Sequence, residues 1–213
     1  MSLEISYVAV ALFVDPILAN AMIEISENFY NKYDSWWRLS PDKFPPHISL
    51  WLGYIPTKNE SLLIDKVQSI VHTLKPIQVE LGDLDIVSNG KDYYIKQNVN
   101  KTNQLVDLHY LFLERLNQYR DGYIEPKYLD KDKQKNMSAI MLNNINKYGT
   151  RFVAELFEPH ISISYVDKMR ASADDIKAQI PELIAKQEST KIIVFKQKES
   201  GKSINVLAEI SMQ

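Results

Sequence analysis

Two of the four histidines, His47 and His160, stand in one and the same tetrapeptide, Pro-His-Ile-Ser, about half the chain apart. A neutral imidazole can take a proton from water or a hydroxyl, and a protonated one can give a proton to a leaving oxygen. In an extended strand, the side chain two residues on points the same way. Ser49 therefore accompanies His47 and Ser162 accompanies His160, each a hydroxyl able to hold a phosphoryl oxygen. Two such copies across a cleft would supply two acid/base groups and two phosphate donors. A cyclic phosphodiester suits them, because attack and departure occur on opposite sides of phosphorus. The competing readings are a packed structural role for each histidine and metal binding by the pair. The second needs a third ligand, and the sequence offers no clustered carboxylate motif and no cysteine.

The elements that would carry these groups follow from hydrophobic pattern and punctuation. Residues 5–14 read as a buried strand closed by Pro16, followed by a helix with Leu18, Met22, Ile25 and Phe29 on one stripe. The proline-rich stretch WWRLSPDKFPP is a loop. Residues 47–52 form the first motif strand, with His47, Ser49 and Trp51 on one face, Ile48, Leu50 and Leu52 on the other, and Gly53 and Pro56 ending it. A helix is expected over 59–74. A hairpin over 77–87 and 93–99 turns at Ser88-Asn89-Gly90-Lys91, and a helix follows over 102–119. The polar stretch 120–136 reads as a loop or insertion, and residues 137–148 as a helix stopped by Gly149. The second motif strand, 160–165, is expected to place His160, Ser162 and Ser164 opposite Ile161, Ile163 and Tyr165. A helix over 173–186, interrupted at Pro181, and strands 191–197 and 203–211 joined at Ser200-Gly201 complete the chain.

The paired motifs His47-Ile48-Ser49-Leu50 and His160-Ile161-Ser162-Ile163 resemble the signature of the 2H phosphoesterase superfamily, two His-x-Thr/Ser-x motifs flanked by hydrophobic residues. That superfamily includes bacterial 2'-5' RNA ligases and 2',3'-cyclic nucleotide phosphodiesterases. The opening YVAVALFVDP and the helix after it resemble the start of its members. The resemblance implies an α+β fold with two pseudosymmetric lobes, each an antiparallel sheet with outer helices, around a central cleft. It also implies catalysis by His47 and His160, with either as acid or base, and phosphate binding by Ser49 and Ser162. Serine stands here where threonine is frequent, keeping the hydroxyl and losing the methyl that restricts χ1.

Substrate contacts are sought on the faces beside the motifs. Trp51 shares the parity of His47 and could stack on a base. Tyr7, Tyr93 and Tyr94 are further platforms; Tyr93 and Tyr94 point oppositely, so at most one of them enters the cleft. Lys96 shares the face of Tyr94, and Arg151 lies upstream of the second motif, both as anion contacts. His109, on a helix flank, and His72, near a helix end, read as structural.

Composition bounds the rest. The chain has 213 residues, with 45% hydrophobic and 24% charged, the profile of a globular fold of one bilobal domain spanning 1–213 whose lobes keep or exchange their terminal strands. Zero cysteines exclude disulfides and thiolate chemistry. Twenty-five Lys and Arg against 27 Asp and Glu, net −2, argue against long duplex nucleic acid and for a small nucleotide or RNA terminus. No segment reads as a membrane span or signal peptide, so a monomer in the cytoplasm is expected, without cofactor or metal. The expected activity is a metal-independent phosphoesterase acting on 2',3'-cyclic phosphate, 2',5'-linked nucleotides or RNA ends. The alternatives are a hydrolase of another small cyclic phosphate, a nucleotide or RNA-end binder with little turnover, and a symmetric scaffold.

Overall fold

The computed structural model describes residues 4–183, 186–197 and 203–213. Strand β1 (Ile5–Phe13) ends where Asp15 caps the next helix, its carboxylate accepting from Ile17 N at 2.9 Å, with Pro16 in the first turn, where a missing N–H costs nothing. Helix α1 (Pro16–Tyr33) buries Leu18, Met22, Ile25 and Phe29 as the stripe predicts, and Asp34 ends it at φ 53°. The elements that follow are β2 (His47–Pro56), α2 (Glu60–Val71), β3 (Ile77–Asn89), β4 (Asp92–Val99) and α3 (Asn103–Leu116). Beyond them come α4 (Pro126–Leu129), α5 (Lys131–Gln134), α6 (Ala139–Tyr148), β5 (His160–Asp167), α7 (Ala173–Lys177), β6 (Lys186–Ser189), β7 (Lys191–Gln197) and β8 (Ile204–Ser211).

The strands form two four-stranded antiparallel sheets, ordered β2-β1-β7-β8 and β5-β4-β3-β6. Each belongs to one lobe, and the two lobes flank a central cleft. The motif strands β2 and β5 are the edge strands that meet there. The helices cross over. The helix after β1 packs on β5 of the other sheet, where Ile25, Phe29 and Tyr33 meet Ile95, Ile163 and Val166. The helix after β4, α3, packs back on β2 with Leu105, Leu108 and Phe112 buried. Each lobe is thus covered by a helix that the other lobe's strand leads into.

Several sequence expectations are corrected. Gly53 does not end the first motif strand, which continues to Pro56. The helix expected over 173–186 stops at Lys177, because Pro181 lacks a donor and disfavours helical backbone at the residue before it; residues 184 and 185 lie outside the described residues. The stretch 120–136 contains the short helices α4 and α5, anchored by the buried Arg120, whose guanidinium donates to Asn117 Oδ1 at 2.6 Å and to the Lys147 and Tyr123 carbonyls. The turn Ser200-Gly201 falls outside the described residues.

Strand parity is corrected in both motifs by one device. In the β1–β2 ladder, Ala11 faces Ser49 and Val10 faces Trp51, so the register skips Leu50. In the β4–β5 ladder, Lys96 faces Ser162 and Ile95 faces Ser164, so it skips Ile163. A β-bulge thus sits three residues after each histidine and reverses the alternation beyond it. Trp51 turns into the core, 2% exposed, and Leu52 and Tyr54 take the cleft face instead. Ser164 is likewise buried, and Tyr165 joins His160 and Ser162.

Candidate active site

Each motif histidine is fixed in the same way. His47 Nδ1 lies 2.8 Å from the carbonyl of Pro45, and His160 Nδ1 lies 2.8 Å from that of Glu158, two residues back in both cases. A carbonyl can only accept, so Nδ1 carries the proton and Nε2 is the free nitrogen. The intervening prolines, Pro46 and Pro159, hold the preceding residue extended and so aim its carbonyl at the ring. The two histidines lie close enough across the cleft for the charge of one to oppose protonation of the other. Burial, reinforced by that repulsion, pushes the His47 imidazole down to about 4. Burial also lowers His160, with Lys96 acting the same way and the Glu158 carboxylate acting against it.

The surroundings of the two rings differ. His47 packs on Phe44 and Phe195, with ring centroids 5.5 and 4.9 Å away, and the β1 residues opposite Ser49 and Leu52, farther along its strand, are Ala11 and Ala9. The second lobe is polar at the matching positions. Lys96 stands opposite Ser162, 12% exposed, 3.4 Å from Asp85 and 3.8 Å from Glu158. Tyr94 reaches Ser162 Oγ at 2.5 Å and presents its ring edge-on to His160 at 6.1 Å. Burial holds the Tyr94 phenol well above its ordinary range, so it stays a neutral donor. The cation and phenol side by side with a hydroxyl make a wall of donors, a chemistry that suits an oxyanion.

An aromatic ladder leads out of this wall. Tyr94 stacks on Tyr165 at 4.9 Å, and Tyr165 meets Trp36 at 4.9 Å, whose ring is 44% exposed. The loop carrying Trp36 is tied to β5 through Ser35, whose hydroxyl is 2.5 Å from the Tyr165 carbonyl. Trp36 and Tyr165 escaped the sequence reading, the first because a loop has no parity and the second because the bulge reverses it.

The other expected residues are placed as follows. Tyr93 faces away from the cleft with Lys168 over its ring at 5.5 Å, leaving Tyr94 as the one that enters. Trp51 cannot stack on a ligand from the core. Tyr7 lies at the far end of β1, 4.7 Å from Tyr54 and beside a cavity of about 1360 Å³ that also touches Tyr123, Glu125 and Lys127 but none of the motif residues. Arg151 lies in the turn after α6 with its guanidinium 4.5 Å over Phe152, and makes no hydrogen bond or ion pair with a motif side chain among the described residues. No group of three His, Asp or Glu side chains suited to a metal ion occurs among the described residues.

The comparison that decides the family spans nearly the whole molecule: residues 8–212 match the cyclic phosphodiesterase-like proteins. The chain belongs to that family, within the 2H phosphoesterase superfamily. Solved structures agree in fold. The chain is 13% identical to the Thermus thermophilus protein TT0787, with 97% of each chain covered and a TM-score of 0.62. It is 12% identical to Escherichia coli LigT without ligand, covering 99% of each chain at a TM-score of 0.61. Against LigT complexed with 3'-AMP it is 11% identical, with 99% of each chain covered and a TM-score of 0.61. Comparison with curated proteins gives no significant match. As a cyclic phosphodiesterase-like protein, the chain carries the general activity class of its superfamily, phosphoester chemistry. No helix among the described residues is long and apolar enough to cross a membrane.

Proposed function

We propose that the chain opens 2',3'-cyclic phosphates or cleaves 2',5'-linked nucleotides at RNA or nucleotide ends, using His47 and His160 as a proton-transfer pair. The observation that carries the reading is the identical anchoring of both Nδ1 atoms, which leaves two Nε2 atoms free in one cleft. His47, kept neutral down to about 4, acts as the base. His160, beside the Glu158 carboxylate, acts as the acid. In hydrolysis His47 Nε2 takes a proton from water, and the water oxygen bonds to phosphorus. The bond from phosphorus to one ribose oxygen breaks, and His160 gives that oxygen its proton. Ser49, Ser162, Tyr94 and Lys96 hold the nonbridging oxygens as charge grows on them. Trp36, ending the aromatic ladder, offers its exposed ring to the base. LigT is described in complexes with 3'-AMP, NADP+, ATP and phosphate, which supports nucleotides as the ligand class.

A panel of nucleoside 2',3'-cyclic phosphates and 2',5'-linked dinucleotides, with products separated by chromatography, tests this. Turnover should survive chelation and fall by roughly 10²–10⁴-fold in His47→Ala and in His160→Ala, with smaller losses in Ser49→Ala and Ser162→Ala. Unchanged turnover in either histidine variant rejects the pair. Tight nucleotide binding without turnover across the panel would make the chain a binder of RNA ends.

A further inference from the structure

A third histidine lies where neither motif reaches. His109, on α3, is 1% exposed. Its Nδ1 is 2.6 Å from the carbonyl of Leu50, and its Nε2 accepts from the N–H of Ala154 at 2.8 Å. Each partner is an unusual piece of backbone. Leu50 is the residue that the β1–β2 register skips, on the open edge of β2, so no strand among the described residues pairs with its carbonyl. Ala154 holds φ at 55°, a left-handed conformation that alanine adopts only under constraint. The His109 ring also stacks face to face on Phe157, with centroids 3.9 Å apart and planes within 4°. Phe157 stands three residues before His160, in the segment whose Glu158 carbonyl orients that ring.

One imidazole thus grips the bulge that sets the cleft face of the first motif and the turn that delivers the second. The hydrogen bonds specify its state: Leu50 O requires Nδ1–H, and Ala154 N–H requires a bare Nε2. Only the neutral ring satisfies both, and burial pushes this imidazole down to about 4, so it holds that state through neutral pH.

We propose that His109 is a positioning residue that sets the distance between the two acid/base histidines by bridging the Leu50 bulge of β2 to the Ala154–Phe157 turn that leads into β5 of the other sheet. It touches no substrate and acts through His47 and His160, so the inference rests on the paired-histidine reading of the site. Glutamine offers an amide donor and an amide acceptor at the reach of the two ring nitrogens. Phenylalanine keeps the ring volume and the stack on Phe157 and loses both hydrogen bonds.

The test compares His109→Gln and His109→Phe by steady-state kinetics on a nucleoside 2',3'-cyclic phosphate and by NMR titration of the His47 and His160 rings. Displacing a catalytic group by about 1 Å costs up to roughly 10²-fold. His109→Phe should therefore lose about 10- to 100-fold in kcat with KM nearly unchanged, and His109→Gln should recover most of it. In a His160→Ala background His109→Phe should cost nothing more, since there is no pair left to space. The His47 titration should move upward in His109→Phe, as the pair separates and water enters, and return in His109→Gln. Where His109→Phe does not fold, His109→Asn, too short to span both partners, takes its place. Wild-type kcat and wild-type titrations in the Phe or Asn variant overturn the proposal, as does a loss that persists undiminished in the His160→Ala background. If the wild type turns over no substrate in the panel, the functional reading fails. The titrations then decide the role of His109 alone: movement in the Phe or Asn variant with recovery in Gln upholds it, and no movement overturns it.

Discussion

At the scale of single residues, the two motif histidines share an anchor and differ in their neighbours, and the difference predicts a pH profile. In the proposed roles, His47 serves as base only when neutral, so kcat/KM should fall as pH drops through about 4. His160 serves as acid only when protonated, and its titration lies below the ordinary imidazole value because of burial and Lys96. Activity should therefore also fall as pH rises, with the optimum on the acid side of neutrality, and the alkaline limb should vanish in His160→Ala. An optimum above pH 8 would contradict the assignment. Trp36 makes a separable contribution. Base stacking on an aromatic ring contributes about 1–3 kcal/mol, so Trp36→Ala should raise KM for a nucleotide roughly 5- to 150-fold while kcat holds. A fall in kcat at constant KM would mean that Trp36 supports Tyr165 rather than the ligand.

At the scale of elements, the bulges decide which side chains see the cleft. Trp51 turns inward, and its indole lies across Gly53, where an added Cβ would stand 2.6 Å from two ring carbons. Gly53→Ala should therefore destabilise the protein by about 1–3 kcal/mol through overpacking. Unfolding in urea measures it, and the loss should shrink in a Trp51→Leu background, where the clashing ring is gone. The same bulges mark where sequence reading stopped. Apolar stripes placed α1, α3 and α6 within a few residues and Gly149 marked the end of α6; in the structure Asp15, Thr102 and Ser138 cap the helix starts through local chemistry. The His-Ile-Ser segments were legible because they precede the bulge. Trp51, Ser164 and Tyr165 were misassigned because nothing local announces a skipped residue. Leu50 and Ile163 look like ordinary core positions, and the partner strand that skips them is distant in sequence. His109 was read as structural, and its two partners, Leu50 and Ala154, lie on elements that only the tertiary fold brings together.

At the scale of the whole molecule, buried neutral imidazoles tie stability to pH. The unfolded chain takes up protons at histidine below about pH 6.5, whereas folded His109 resists them down to about 4. The unfolded state therefore binds more protons between these values. Stability is full above about 6.5 and falls as pH drops, by about 2 kcal/mol from His109 between pH 7 and pH 5. Urea midpoints should fall over that interval, and fall less in His109→Gln, which has no proton to take up there. Equal pH dependence in the two proteins would show that His109 is not the titrating group.

The division of strands between the sheets has one more consequence. The sheet built on β3, β4, β5 and β6 is complete within residues 77–189, whereas β1 waits for β7 and β8, which span 191–211. Phe195, against which the His47 ring packs, arrives with them. On the ribosome, β1 and β2 emerge well before β7 and β8 and have only each other to pair with until residues 191–211 follow. Between Ser189 and Ser211 the nascent chain holds one finished sheet and one open one, with the His47 ring still without its wall. The first sheet closes around its opening strand only when residues near 211 clear the exit tunnel.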